Sequence, residues 1–521
     1  MAETSDPPSM RWWGWGDPAR VTGLPAHALA FLADTVGVGD TPKPPVALEH
    51  VRLAPSALPA PALAALRDLT GADGVRDDHQ ARVQHAAGRG YPDLVRLRSG
   101  EPEGAPDAVV YPSAHEQLRS LLDLCARSSI AVVPFGGGTS VVGGVSPLRG
   151  EHRGVIALDM ARMRELISLD RASMTVHIGA GMRAAELERQ LGAGRLTLGH
   201  FPQSFEYVSL GGCAATRSAG QSSTGYGSIE KMVLGLRLAA PAGEIILPAQ
   251  PATAAGPGLR QLLVGSEGAL GVISELSLRI REAPAERIYE GLFFEDFRTG
   301  TEVLRALAQE HAAPDVARLS DRPETRMSLA LAGTGGLKGR LGRAYVGLRG
   351  YRAGCLAILG FEGRREEVAF RRARALALAR AGGGLAVGRS PGEAWLKGRF
   401  GAPYLRDELL THGVMVETLE TATQWSNLGT LHEHVGRAIA GALSGCGTPG
   451  LVMCHVSHLY ETGASLYFTF IARMREDDPL GQWRAVKEAA SRAIVEGGGT
   501  ITHHHAIGVD HARWMTQEVG G

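Results

Sequence analysis

The chain has 521 residues, of which 44% are hydrophobic, enough apolar material for two or three domains with cores of their own, and this excludes a disordered polymer. Lys+Arg and Asp+Glu each number 54, so no basic excess exists to meet a phosphodiester backbone, and nucleic acid is not an expected partner. The five cysteines (Cys125, Cys213, Cys355, Cys446 and Cys454) are scattered and form no CxxC pair, which points to a reducing compartment and away from structural zinc or an iron–sulfur centre.

Residues 1–100 are rich in proline and alanine and helical in places. They hold Met10-Arg11-Trp12-Trp13-Gly14-Trp15-Gly16, with three of the seven tryptophans. No basic amphipathic helix accompanies these indoles, so they are read as anchors pinning the segment to the body of the protein rather than to a membrane. The N-terminus shows no basic segment followed by an apolar one, and no stretch approaches the ~20 apolar residues of a membrane span. A cytoplasmic location is expected, with peripheral membrane contact left open.

From Asp107 the pattern sharpens. Ala108-Val109-Val110-Tyr111 predicts a strand, Ser113 a helix cap before the periodic Leu118, Leu121, Leu122 and Cys125, and Ile130–Phe135 a second strand. This βαβ-like unit runs into Pro134-Phe135-Gly136-Gly137-Gly138-Thr139-Ser140. Three glycines after a strand let successive N–H groups converge on an anion such as a pyrophosphate. In a chain with 69 glycines, a plain loop is the stronger reading of that segment taken alone; the segments that follow reverse the balance.

Gly154–Asp159 and Met174–Ile178 read as strands, Ala184–Leu191 as a helix, and Val233–Leu247 and Gly271–Ile280 as antiparallel sheet. Two small α+β lobes with a cofactor clamped between them fit this order. A further unit, 286–495, mixes helices such as Arg365–Ala381 with strands such as Leu466–Ile471, and no internal repeat is evident.

Three more segments of small and polar residues accompany the triple glycine. They are Gln203-Ser204-Phe205-Glu206-Tyr207-Val208-Ser209 leading into Thr216-Arg217-Ser218-Ala219, then Gly225-Tyr226-Gly227-Ser228, then Glu267-Gly268-Ala269-Leu270-Gly271-Val272-Ile273. Small side chains there let main-chain groups approach a large flat ligand, and Val272 and Ile273 offer backbone hydrogen bonds to a ring edge.

With these motifs (PFGGGTS, PQSFEYVSLGG, TRSAGQSSTGYGSIE, GSEGALGVI, SHLYETGASLYF and THHHAIG) the chain resembles the vanillyl-alcohol-oxidase, or PCMH-type, FAD flavoproteins, and within them the alkyldihydroxyacetonephosphate synthase branch. The resemblance runs from the RWWGWG segment to the histidine run. It implies an α+β fold with an N-terminal helical segment (1–100), a PCMH-type FAD-binding domain of two lobes (101–285), an α+β cap or substrate domain (286–495) and a C-terminal segment (496–521) returning to the flavin. It also implies that Pro134–Ser140 hold the FAD diphosphate, while Gln203–Ser209, Thr216–Ala219 and Glu267–Ile273 line the rest of the cofactor. The first loop has no histidine, so noncovalent FAD is expected. Gln203 stands where an acidic residue is common and Ala506 where a glycine is common. The C-terminal segment is expected to be a shortened form of a longer tail.

His503-His504-His505 is read as the end of a strand after Gly497-Gly498-Gly499. Consecutive side chains diverge, so the run alone is a poor tetrahedral metal site and no metal is expected; imidazoles titrating near neutrality suit proton transfer better. Tyr467 interrupts an apolar strand, where a phenol with a histidine partner serves as acid or base; on residue type alone, a core tyrosine is the stronger reading. Arg406 and Arg318 match motif arginines of the synthases that bind substrate or shape the site, and a guanidinium fork suits a phosphate monoester.

The implied reaction replaces the acyl group of acyl-dihydroxyacetone phosphate with a long-chain alcohol, FAD acting as electron sink without net redox. A rival is an FAD-dependent 2-hydroxy-acid dehydrogenase of the D-lactate or glycolate type. Those enzymes carry GHxGDGNLH and EHGIG strings serving a metal, whereas here Tyr467 takes the place of the second histidine and His504 that of the glutamate. A non-catalytic flavin- or lipid-binding protein is the third reading. A lipid substrate is the expected partner, and a homodimer is admitted. The basic loop Leu337–Arg352, with Lys338, Arg340, Arg343, Arg349 and Arg352, is read first as solvated and second as a contact for anionic lipid.

Overall fold

The computed structural model describes residues 10–20, 23–37, 42–331, 347–351 and 353–520. Lys338, Arg340, Arg343 and Arg352 of the basic loop lie outside the described residues. The chain is α+β and builds three main sheets.

The first sheet has four strands in the order Val75–Arg76, Ala108–Val110, Gly154–Asp159, Ile130–Phe135. The last three run parallel. The expected βαβ unit is therefore not a pair of neighbours: Gly154–Asp159, buried along its whole length, lies between its two strands. The connecting helix His115–Ser128 buries Leu118, Leu121, Leu122 and Cys125, the face predicted by their spacing. Its N-cap is Ala114 rather than Ser113; the Ser113 N–H instead donates to the Gln117 side chain at 2.7 Å.

The second sheet is antiparallel, in the order Leu166–Asp170, Thr175–Gly179, Val272–Arg279, Val233–Ala240, Gly243–Leu247. The third has seven antiparallel strands in the order Leu385–Gly388, Glu286–Phe294, Cys355–Gly363, Val316–Ser320, Leu451–Leu459, Gly463–Arg473, Val414–Gln424.

Alternation along the strands of the third sheet divides its two faces. Leu466, Phe468, Phe470 and Ala472 join Cys454, Val456 and Leu319 in a core packed beneath the helices Phe297–Gln309, Leu428–Gly445 and Pro479–Glu496. The residues between them, Tyr467, Thr469, Ile471, Met453, His455 and Arg318, face a cavity. Each fully buried leucine or phenylalanine on the core side contributes roughly 1.5–3 kcal/mol. The cavity face is thus held from behind by this core, and its Met453 and Ile471 are packed in a second apolar cluster.

Helix Ala26–Val36 lays Leu32 and Val36 against Met327, Leu409, Val416, Met453 and Ile471. No helix among the described residues is long and apolar enough to cross a membrane.

Candidate active site

A cavity of about 590 Å³ lies where the three sheets meet. Pro134–Ser140 form one wall. A Cβ on Gly137 would lie 2.1 Å from the Tyr207 carbonyl oxygen, and Gly138 has φ +64° beneath the Phe135 ring. Only glycine allows the two loops to meet main chain to main chain, leaving the N–H groups of 136–140 beside open space. Gln203, Ser204, Val208, Ser209, Thr216, Ser218 and Ala219 also line the cavity, as do Glu267, Gly268, Gly271, Val272 and Ile273. A cavity lined by glycine main chain, small polar residues and apolar side chains fits a flavin dinucleotide.

Seven of the residues expected at the site do not line this cavity. Phe205 stacks on Phe400, Glu206 accepts from the Tyr404 hydroxyl, and Tyr207 is buried edge-on against Trp15. Arg217, at φ +51°, donates to the carbonyls of Val264 and Gln261. Ala269 and Leu270 form an exposed turn, and His503 sits behind His504 against Tyr460.

The C-terminal segment returns to the cradle. Glu267 accepts from the N–H groups of Ile507 and Gly508 at 2.8 and 3.0 Å, and the Val509 N–H donates to the Val142 carbonyl.

Across the third sheet, register places Glu420, Tyr467 and His455 in one row. Tyr467 stacks on His455 at 4.9 Å and on His504 at 6.1 Å, with His505 edge-on at 5.5 Å. Burial pushes the Tyr467 phenol up to about 12 and His505 down to about 3, so the phenol is protonated and the imidazole neutral near pH 7.

The histidine run is not the end of a strand. It is an irregular segment wrapped around Glu420, whose Oε1 accepts from the N–H groups of His503, His504 and His505 at 2.9, 2.6 and 2.7 Å and from the Thr502 hydroxyl at 2.9 Å. Its Oε2 lies 2.9 Å from His504 Nδ1. Burial opposes ionisation of Glu420, but the electrostatic interaction with His504 and His505 and the hydrogen bonds it receives outweigh burial and hold it well below the usual carboxylate range. Glu420 had a sequence signal, shared with Glu417: each is a carboxylate inside the largely apolar first part of the strand Val414–Gln424.

Arg318 reaches the cavity through a triad. It donates to Glu324 at 2.6 Å and to His455 Nε2 at 3.0 Å, and His455 Nδ1 lies 3.0 Å from Glu324. Because Nε2 accepts from a permanent cation, Nδ1 carries the proton and His455 is neutral. Burial, then Arg318, pushes His455 down; against burial, His455 and Arg318 draw Glu324 down to about 2.

Arg406 donates to the Arg89 carbonyl at 2.6 Å and to Asp407. The buried Asp407 also receives Arg11 and the Trp15 N–H, so the RWWGWG segment is tied to the arginine that faces the cavity. Sequence reasoning treated that segment as an anchor and missed Trp15 as a cavity wall. The same cavity has an apolar arm in its lining, made of Met327, Leu331, Leu405, Leu409, Val416 and Ile471.

Residues 106–247 match the FAD binding domain family, and residues 283–521 match the C-terminal domain of the FAD linked oxidases. The chain is 33% identical to the alkyldihydroxyacetonephosphate synthase of Dictyostelium discoideum over 452 residues, 85% of this chain and 74% of that protein. It is 32% identical to the same-named protein of Trypanosoma brucei brucei, covering 98% of this chain and 88% of that one. A solved alkyldihydroxyacetonephosphate synthase structure superposes with a TM-score of 0.86 at 29% identity, over 94% of each chain.

Proposed function

From a chain that belongs to the alkyldihydroxyacetonephosphate synthase family of FAD-linked oxidases, we propose an enzyme that exchanges the acyl group of acyl-dihydroxyacetone phosphate for a long-chain alcohol, making an ether lipid. One observation carries this reading: a single cavity joins a glycine cradle, a tyrosine–histidine cluster, two arginines and an apolar arm.

Bound noncovalently in the cradle of Pro134–Ser140, FAD supplies a reversible electron acceptor. Arg406, held by Asp407 and the Arg89 carbonyl, takes the phosphate. Arg318, oriented by Glu324 and His455, shapes the substrate end of the cavity. The apolar arm takes the hydrocarbon chain. In the exchange the carbon–oxygen bond to the carboxylate breaks, a carbon–oxygen bond to the alcohol forms, and the alcohol proton leaves with the fatty acid. Tyr467, protonated and stacked between imidazoles, and the run His503–His505 move the protons.

A substrate with a long alkyl chain partitions into bilayers, so the reading carries a cytoplasmic protein that touches membrane peripherally; the apolar arm under helix Ala26–Val36 supports this. The test is anaerobic incubation with acyl-dihydroxyacetone phosphate and a long-chain alcohol. Ether product and free fatty acid in equal amounts, with no oxidant consumed, are expected. Lasting flavin bleaching by a 2-hydroxy acid, with no ether formed, would instead identify a dehydrogenase.

A further inference from the structure

We propose that His458, Glu420 and the histidine run together form a site for a divalent transition metal of the zinc type, which when occupied takes His503 and His504 out of proton transfer. Three adjacent imidazoles are a poor site by themselves; the fold supplies what they lack.

One ring nitrogen from each of His458, His503 and His504 lies within 4.8 Å of the others. His503 Nδ1 is 3.1 Å from His504 Nδ1, and Glu420 Oε2 is 3.5 and 2.9 Å from the same two atoms. Donors about 2.0–2.1 Å from a tetrahedral metal sit about 3.3 Å apart, so these three already form one face of the polyhedron to within a few tenths of an ångström. His458, 4% exposed, shares the group with His503 and His504 and has an Nδ1 with no hydrogen-bond partner among the described residues, so it is the side chain available as a fourth donor.

The remaining groups orient this set. Glu420 Oε1 is taken by four hydrogen bonds, which leaves Oε2 as the oxygen turned to the imidazoles. The Tyr460 oxygen lies 2.5 Å from His503 Nε2. With Nε2–H donated to that oxygen, the Nδ1 lone pair of His503 points into the cluster, the outer-sphere hydrogen bond that fixes metal-ligating histidines. Three imidazoles and one carboxylate select a borderline-soft ion over magnesium or calcium, which take oxygen.

The effect on turnover rests on the reaction proposed above; the binding does not. The chelator-dialysed, FAD-loaded protein is titrated with Zn²⁺ in competition with a chromophoric chelator near neutral pH. One Zn²⁺ per chain is expected, insensitive to excess Mg²⁺, with affinity at least about tenfold lower in His458→Gln and in His503→Ala and the flavin spectrum of both variants unchanged. X-ray absorption at the zinc edge of the wild-type protein, which depends on no variant folding, is expected to show imidazole scattering. Failure to take Zn²⁺ from the chelator, equal affinity in both variants, or an oxygen-only shell would each overturn the site. Since these readouts involve no ether product, they stand or fall separately from the assay for the synthase reaction.

Discussion

Tyr467 and His455 sit directly opposite each other on neighbouring strands, their rings stacked at 4.9 Å with planes 22° apart. The stack needs only the ring of Tyr467, so the hydroxyl is free to be tested alone. Tyr467→Phe should keep flavin content and melting temperature and lower kcat by roughly 10²–10⁴-fold, the span of a lost general acid or base. Wild-type turnover in this variant would remove the phenol from the chemistry.

Glu420 organises the histidine run by accepting from three consecutive backbone N–H groups. Glu420→Ala leaves those donors and the Thr502 hydroxyl without an acceptor, at about 1–3 kcal/mol per buried group as an upper bound. Glu420→Gln keeps a carbonyl oxygen for them but loses the charge facing His504. Stability by chemical denaturation should therefore fall in the order wild type, Gln, Ala, with kcat impaired in both. An alanine variant as stable as wild type would show that the carboxylate does not hold the run.

Gly137 meets the Tyr207 carbonyl, which is backbone and cannot rotate aside. Gly137→Ala should separate the two loops and yield folded protein that has lost flavin, read as the ratio of visible to ultraviolet absorbance. Gly192→Ala is the control: nothing lies within 4 Å of its added Cβ, and the position is in helix Ala184–Ala193. It should retain flavin and gain up to about 1 kcal/mol.

Much of this site was legible because its signals are local. The triple glycine, the periodic leucines of His115–Ser128 and the helix Arg365–Ala381 depend on spacing within one segment, and each stands where spacing puts it. What stayed hidden depends on partners far along the chain. The insertion of Gly154–Asp159 between two parallel strands is a tertiary choice. So is the use of Glu420 to shape a segment more than eighty residues later, which turned an expected strand end into an irregular loop. Phe205, Tyr207 and Arg217 lie within motifs that border the cavity, yet their side chains are spent on packing and on carbonyls elsewhere. A motif marks a stretch of backbone; which of its side chains reach the ligand is decided by the fold.

Two histidines away from the chemistry should make the protein acid-sensitive. Burial pushes His200 from 6.5 to about 3 and His511 from 6.5 to about 4. Both are thus neutral when folded, while in the unfolded chain they take up a proton below pH 6.5. The unfolded state then binds more protons, so stability falls as the pH drops from 6.5 toward each folded value, by up to about 1.4 kcal/mol per pH unit for each histidine. Glu324 acts in a lower window: its carboxyl, drawn from 4.5 to about 2, loses its contribution only between those two values. Between pH 6.5 and 4.5 the buried histidines lower stability as the pH falls, while Asp93 and Asp510, raised by burial from 3.8 to about 6, act with the opposite sign, so the share of one histidine is read as the difference between its variant and wild type. His200 is 1% exposed, and its one polar contact among the described residues is the Ser218 hydroxyl at 3.1 Å from Nε2, so His200→Gln removes the titration with little change in volume. Unfolding free energies measured by denaturant between pH 6 and 5 should show a slope in the variant shallower than wild type by up to about 1.4 kcal/mol per pH unit. Parallel slopes would mean that His200 titrates alike in both states and is not held neutral by the fold.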